Sequence, residues 1–277
     1  MKNTLIMAVF MLSVLVACKD KKKTEETPEM VAPAVQIETE EVTYSADSVQ
    51  MKGYIAFDKN KTGKRPGIII IHEWWGHNDY VRERADMLAE LGYSAFAIDM
   101  YGNGKVAEHP GDAGKFSGVV RNNVPLATAR FDAALDILKN HPSVNLDQIA
   151  AIGYCFGGSM ALTIANTGED LDAVAAFHSG LGLPVMPNDK LKAKVLVVNG
   201  GSDPFIPQES VVAFKKAMDS INADYTYIEI PDAKHAFTSK GASALGEKFS
   251  LPLEYNAEAD AKSWQALQNL LNETFNQ

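Results

Sequence analysis

Cysteine is nearly absent: the 277 residues hold two, Cys18 and Cys155. One lies in a leader-like segment and the other in a glycine-rich turn. A disulfide scaffold is thereby excluded, and Cys155 is left as a free thiol. Cations are scarce as well. Lys and Arg total 26 against 35 Asp and Glu, a net charge of −9. No basic stripe runs through the body of the chain, which argues against a nucleic-acid partner. No period repeats, so a solenoid is excluded. The apolar run Thr4 to Ala17 falls short of the roughly 20 residues that a comfortable bilayer span requires.

What is present at the start reads as a leader. Met1-Lys2-Asn3 is a short positive opening, and the apolar run ends Leu15-Val16-Ala17-Cys18. That ending resembles a bacterial lipobox, in which a small residue permits cleavage and the cysteine thiol receives the lipid. An ordinary secretory signal with a chance cysteine is the alternative. The expected organisation is a signal peptide over 1–17, a lipid-anchored tether over 18–34 and a folded domain over 35–277. The tether is polar and carries Pro28 and Pro33, a composition that does not pack. This reading places the protein at a bacterial cell envelope, lipid-anchored outside the cytoplasm, with the membrane as partner through Cys18.

With 46% hydrophobic and 22% charged residues, the rest can bury one large core. Alternation predicts an antiparallel pair over Val35 to Tyr44 and Val49 to Phe57. Ile68-Ile69-Ile70-Ile71 is continuous and β-branched, the mark of a strand covered on both faces. Helical spacing follows over Tyr80 to Leu91, with a strand at Tyr93 to Ile98 and a helix at Leu126 to Lys139. Strands are expected at Ile149 to Tyr154, Ala173 to Phe177, Val195 to Val198 and Tyr225 to Ile230. Helices are expected at Gln208 to Ser220 and Glu254 to Phe275. Such alternation predicts an α/β fold, a mostly parallel twisted sheet of about eight strands with helices on both faces. Chemistry then gathers at the strand carboxyl ends. The glycine-rich stretch 100–123 is read as a cap over the site, with a disordered surface excursion as the alternative.

The centre of the sequence is Ile152-Gly153-Tyr154-Cys155-Phe156-Gly157-Gly158. An apolar strand ends at Gly153, one polarisable nucleophile follows, and a helix-compatible stretch begins behind it. This is the layout of a nucleophile elbow with cysteine where serine is more common. The glycines let strand, turn and helix approach closely. A buried cysteine in an ordinary strand–helix turn is the competing reading. A thiol nucleophile needs a base and a group to orient that base. Asp203 follows one strand, in Gly200-Gly201-Ser202-Asp203, and His235 follows the next, in Lys234-His235-Ala236-Phe237. The order nucleophile, acid, histidine is the one this layout demands.

Together with His72-Glu73-Trp74-Trp75-Gly76 and Asp99-Met100-Tyr101-Gly102, these motifs resemble the dienelactone hydrolase family. The resemblance implies the α/β-hydrolase fold and a Cys155–His235–Asp203 triad cleaving a small ester or lactone through a covalent thioester. It also implies that Glu73 contacts the resting thiol and that the backbone N–H groups of Phe156 and Trp74 form an oxyanion hole. Trp75, Tyr101 and Phe237, with Trp74, suggest an aromatic pocket. No cofactor is implied. No metal site is expected either, since His72-Glu73 and His77 miss the H-E-x-x-H spacing by one residue. His178-Ser179, at another strand end, is read as bordering the pocket or satisfying a buried backbone group. The departure is at Ser239, four residues past His235, where the family carries a substrate-binding arginine. Only Lys105, Lys115 and Arg121 of the 100–123 stretch offer cations nearby, so dienelactone itself is not the expected substrate. A non-catalytic ligand-binding lipoprotein with this fold is the alternative from another class. Thiol redox sensing, a third, lacks a resolving cysteine.

Overall fold

The computed structural model describes residues 34–276. The expected signal peptide, the tether up to residue 33 and Cys18 lie outside the described residues.

The isoleucine run explains the architecture. It forms the end of β3 (Arg65–Ile71), and every residue of that strand is buried. Because side chains alternate across a strand, Ile69 and Ile71 enter one core while Ile68 and Ile70 enter another on the opposite face. Eight strands form the sheet, in the order β1-β2-β4-β3-β5-β6-β7-β8. β1 (Ile37–Ala46) and β2 (Val49–Asp58) make the expected antiparallel hairpin, and β2 pairs antiparallel with β4 (Ser94–Ile98). From β4 onward the neighbours are parallel, through β3, β5 (Val144–Tyr154), β6 (Ala173–Phe177), β7 (Lys194–Gly200) and β8 (Tyr225–Ile230).

Helices cover both faces. α1 (Asp79–Glu90) and the last helix, α7 (Ala257–Phe275), bury Val81, Leu88, Leu267 and Leu271 on one side. On the other, α3 (Val124–Asn140), α4 (Phe156–Thr167) and α5 (Gln208–Ser220) bury Phe131, Leu135, Met160, Ile164 and Phe214. The strand order reverses beside β3, and the ends of β3, β5, β6 and β7 open toward one crevice.

Three local expectations change. The 100–123 stretch is an ordered excursion containing α2 (Pro110–Arg121), capped by His109, whose side chain accepts the Gly111 N–H. A bridge between Gly76 and Val106 and the Ala107 N–H to Trp75 carbonyl bond (2.8 Å) tie it to the loop after β3. The final helix starts later than expected, at Ala257, behind the N-cap Asn256, whose side chain accepts the Ala259 N–H. Before it lies α6 (Ala242–Phe249), a helix of 8 residues too short to show periodicity in the sequence.

Candidate active site

Cys155 sits between β5 and α4 with φ 53° and ψ −117°, a backbone conformation that an L-residue adopts only when its surroundings force it. The surroundings are the two glycines. A Cβ on Gly153 would strike the Gly157 backbone, and one on Gly157 would strike the Ile71 carbonyl at the end of β3. Their absence lets α4 start directly above the sheet. The Cys155 N–H is fixed to the Phe177 carbonyl at 2.9 Å. Cys155 is itself the N-cap of α4, so the unpaired N–H groups of the first turn lie next to it.

The loops after β7 and β8 bring in the other two groups. Asp203 is 6% exposed; its Oδ1 accepts the Phe205 N–H at 2.9 Å and its Oδ2 lies 2.7 Å from His235 Nδ1. His235 Nε2 in turn lies 3.0 Å from Cys155 Sγ. The carboxylate leaves Nδ1 as a donor, so Nε2 faces the sulfur and holds the proton that the thiol gives up when it ionises. Burial opposes charge on His235. The negative sulfur of Cys155 and the bonds to Asp203 and Cys155 outweigh it and raise the imidazole to about 10.

Phe156 opens α4, and its N–H has no intrahelical acceptor; neither it nor the Trp74 N–H donates to a protein group among the described residues. Both residues line the crevice with Cys155. Glu73 is 4% exposed, and burial first of all raises its carboxyl to about 7 against the pull of His235 and Arg84. Its neighbour is His178, with Oε1 4.0 Å from Nε2, while the hydrogen bond of the sulfur goes to His235. No hydrogen bond joins Glu73 to the thiol among the described residues.

The cavity beside Sγ measures about 270 Å³ and is lined by Trp74, Phe156, Phe205 and Leu253, with Ser117 and Arg121 contributed by α2. The aromatic set needs correction. Tyr101 is packed against His72 and Phe156 and donates to the Trp74 carbonyl at 3.0 Å. Trp75 is buried in a cluster with Ala107, Leu253 and Phe249, with its ring against that of Trp74 (centroids 5.1 Å apart), and Phe237 is fully buried under the sheet. The two tryptophans sit in a turn closed by the Gly76 N–H to Glu73 carbonyl bond (3.1 Å), and of the two only Trp74 lines this cavity. Phe205, two residues past Asp203, was within reach of a reading that followed the acid loop; Leu253, delivered by the α6–α7 link, was not. The metal-like histidines are tied to backbone: His72 Nδ1 to the Glu73 carbonyl at 2.6 Å and His77 Nε2 to the Ala97 carbonyl at 3.0 Å.

With this geometry in place, similarity to known proteins is informative. Residues 51–275 match the model of the dienelactone hydrolase family. A Yersinia pestis protein provisionally named a carboxymethylenebutenolidase is 28% identical over 244 residues, covering 82% of this chain and 85% of its own. An Escherichia coli protein of the same provisional name is 31% identical over 208 residues, 68% of this chain and 73% of its own. Among solved structures, a dienelactone hydrolase-like promiscuous phosphotriesterase from metagenomic libraries superposes with TM-score 0.80 at 33% identity. That alignment covers 86% of this chain and 99% of the other.

Proposed function

Because the chain belongs to the dienelactone hydrolase family and is thus an ester or lactone hydrolase, we propose that it works through a covalent thioester on Cys155. The observation that supports this reading is the line Asp203–His235–Cys155, closed by contacts of 2.7 and 3.0 Å. His235 takes the thiol proton, and the sulfur attacks the carbonyl carbon of the ester. The oxyanion that forms is met by the N–H groups of Phe156 and Trp74, donors already oriented before the charge develops. Collapse of this intermediate breaks the C–O bond, and His235 gives its proton to the leaving alkoxide. Water then attacks the thioester with His235 as base, and expulsion of the sulfur releases the acid. Asp203 holds the imidazole in one tautomer and stabilises its charged form throughout.

The substrate that fits is a small ester or lactone with an apolar acyl part, since Trp74, Phe156, Phe205 and Leu253 supply most of the wall. Cys18, by its lipobox-like context, would tether this activity to a membrane of the bacterial envelope through its lipid. The test is hydrolysis of short-chain p-nitrophenyl esters by the wild type, Cys155→Ala and His235→Ala. Loss of turnover in both variants is expected, with His235→Ala reduced roughly 10³-fold or more. Turnover within about threefold of wild type in either one would remove that residue from the mechanism.

A further inference from the structure

Behind the triad lies a histidine that the hydrolytic steps leave unused. His178 follows β6 in left-handed backbone, φ 40°, with its N–H on the Val198 carbonyl at 2.9 Å. That turn drives the ring into the interior, where it is fully buried. It packs edge-to-face on His235, with centroids 5.2 Å apart, and on Phe237 at 5.3 Å. Its Nε2 lies 2.8 Å from Thr238 Oγ1, and that hydroxyl lies 2.6 Å from the Tyr80 hydroxyl. The same Nε2 faces Glu73 Oε1 at 4.0 Å. Nδ1 has no partner.

For a group that merely fills space, this is an expensive arrangement. A phenyl ring would occupy a similar volume without a buried, unpartnered ring nitrogen, and a glycine would carry the positive φ without strain. The arrangement also fixes the proton. If it sat on Nδ1, a buried donor would be left unmade, and an unprotonated Nε2 would face the Glu73 carboxyl. With the proton on Nε2, that N–H donates to Thr238 Oγ1 and turns its positive edge toward Glu73. The Thr238 O–H then donates to Tyr80. Burial, with the charges of His235 and Arg84, holds His178 well below its ordinary range and therefore neutral. It adds no repulsion when His235 takes a proton.

Resting on the triad reading above, we propose that His178 is a positioning residue of the active site. Its imidazole, locked as the Nε2–H tautomer by Thr238, sets the ring plane of His235 and the direction of the Glu73 carboxyl. The strained turn after β6, the Thr238 hydroxyl and the edge-to-face contact with the general base thus belong to one device. Its output is the alignment of His235 Nε2 on Cys155 Sγ.

The test uses the full chain and p-nitrophenyl acetate, with His178→Phe, His178→Gln, Thr238→Val and the double variant His178→Phe/Thr238→Val. His178→Phe and Thr238→Val should each lower kcat roughly tenfold to a hundredfold, the scale of a misaligned catalytic group. KM should stay within about threefold, because no substrate contact is removed. His178→Gln, whose amide N–H can reach Thr238, should recover most of kcat. The double variant should be no worse than His178→Phe, because both changes break one link. A wild-type-like kcat in His178→Phe, a Gln variant no better than Phe, or additive losses would each overturn the proposal. Should His178→Phe fail to fold, nitrogen NMR of histidine-labelled wild type decides: a proton on His178 Nε2 supports the tautomer, and one on Nδ1 refutes it. Cys155→Ala and His235→Ala run alongside. If these are inactive while His178→Phe is normal, the positioning role alone fails; if they are active, the triad reading fails first.

Discussion

Replacing Asp203 by Asn leaves shape almost unchanged and removes one charge. The Oδ2 to Nδ1 distance of 2.7 Å and the burial of both partners set the scale of the effect. Full charges at that separation attract by about 6 kcal/mol at an effective dielectric near 20, an upper bound before desolvation is subtracted. A charge-assisted hydrogen bond retains roughly 1.5 to 3 kcal/mol net, and this converts to about one to two pKa units on His235. The sign follows from the direction of the shift. His235 stands raised to about 10, and removing a partner of its charged form brings it down. The alkaline limb of the kcat/KM profile, where the imidazolium is lost as general acid, should therefore move down by roughly 1 to 2 pH units. The Asn amide also tolerates the wrong tautomer, so the total loss in kcat should reach roughly 10²- to 10³-fold, less than for His235→Ala. The assay is p-nitrophenyl acetate hydrolysis from pH 6 to 11 on both proteins. An unmoved alkaline limb with kcat/KM within about threefold of wild type would refute the reasoning.

Other parts of the account make independent predictions. Gly153→Ala forces a Cβ into the Gly157 backbone, so overpacking of roughly 1 to 3 kcal/mol should lower Tm by several degrees in a thermal melt; an unchanged Tm would mean that the elbow does not need that approach. Glu73 is raised by burial from 4.5 to about 7, so the folded chain binds the extra proton between those values, and its contribution to stability falls by roughly 3 kcal/mol as pH rises through that window. Glu73→Gln should accordingly gain stability over wild type at pH 8 and not at pH 4; parallel denaturation curves at both values would count against a buried carboxyl there. Cys18→Ala should abolish partitioning of the native-host protein into membranes, and equal detergent partitioning of both forms would end the tether reading.

The fold was legible because its strongest signals are steric and periodic. Four consecutive isoleucines admit only a strand buried on both faces, and the glycines around Cys155 admit only a tight strand-to-helix turn. The order of Asp203 and His235 was legible because each follows its own strand, and parallel strands end on one side of a sheet. The pocket was less so. That Trp74 faces the cavity while Trp75 packs away depends on how an irregular segment leaves β3. Tyr101 and Phe237 were misjudged because an aromatic side chain near a site serves equally well as its support. The α2 excursion and α6 were hidden by glycine content and short length, which blunt helical periodicity. His178 stood out in the sequence as a histidine at a strand end. Its dependence on Thr238, 60 residues away, could not be read until the chain was folded.

The central claim is a covalent intermediate on one sulfur, and the direct measurement is intact-protein mass spectrometry after rapid acid quenching during turnover of a slow p-nitrophenyl ester. The account predicts a mass increase equal to the acyl group, located by digestion on the peptide carrying Cys155, removed by hydroxylamine and absent in Cys155→Ala. An acyl group on any other residue, or full turnover by Cys155→Ala, would contradict it.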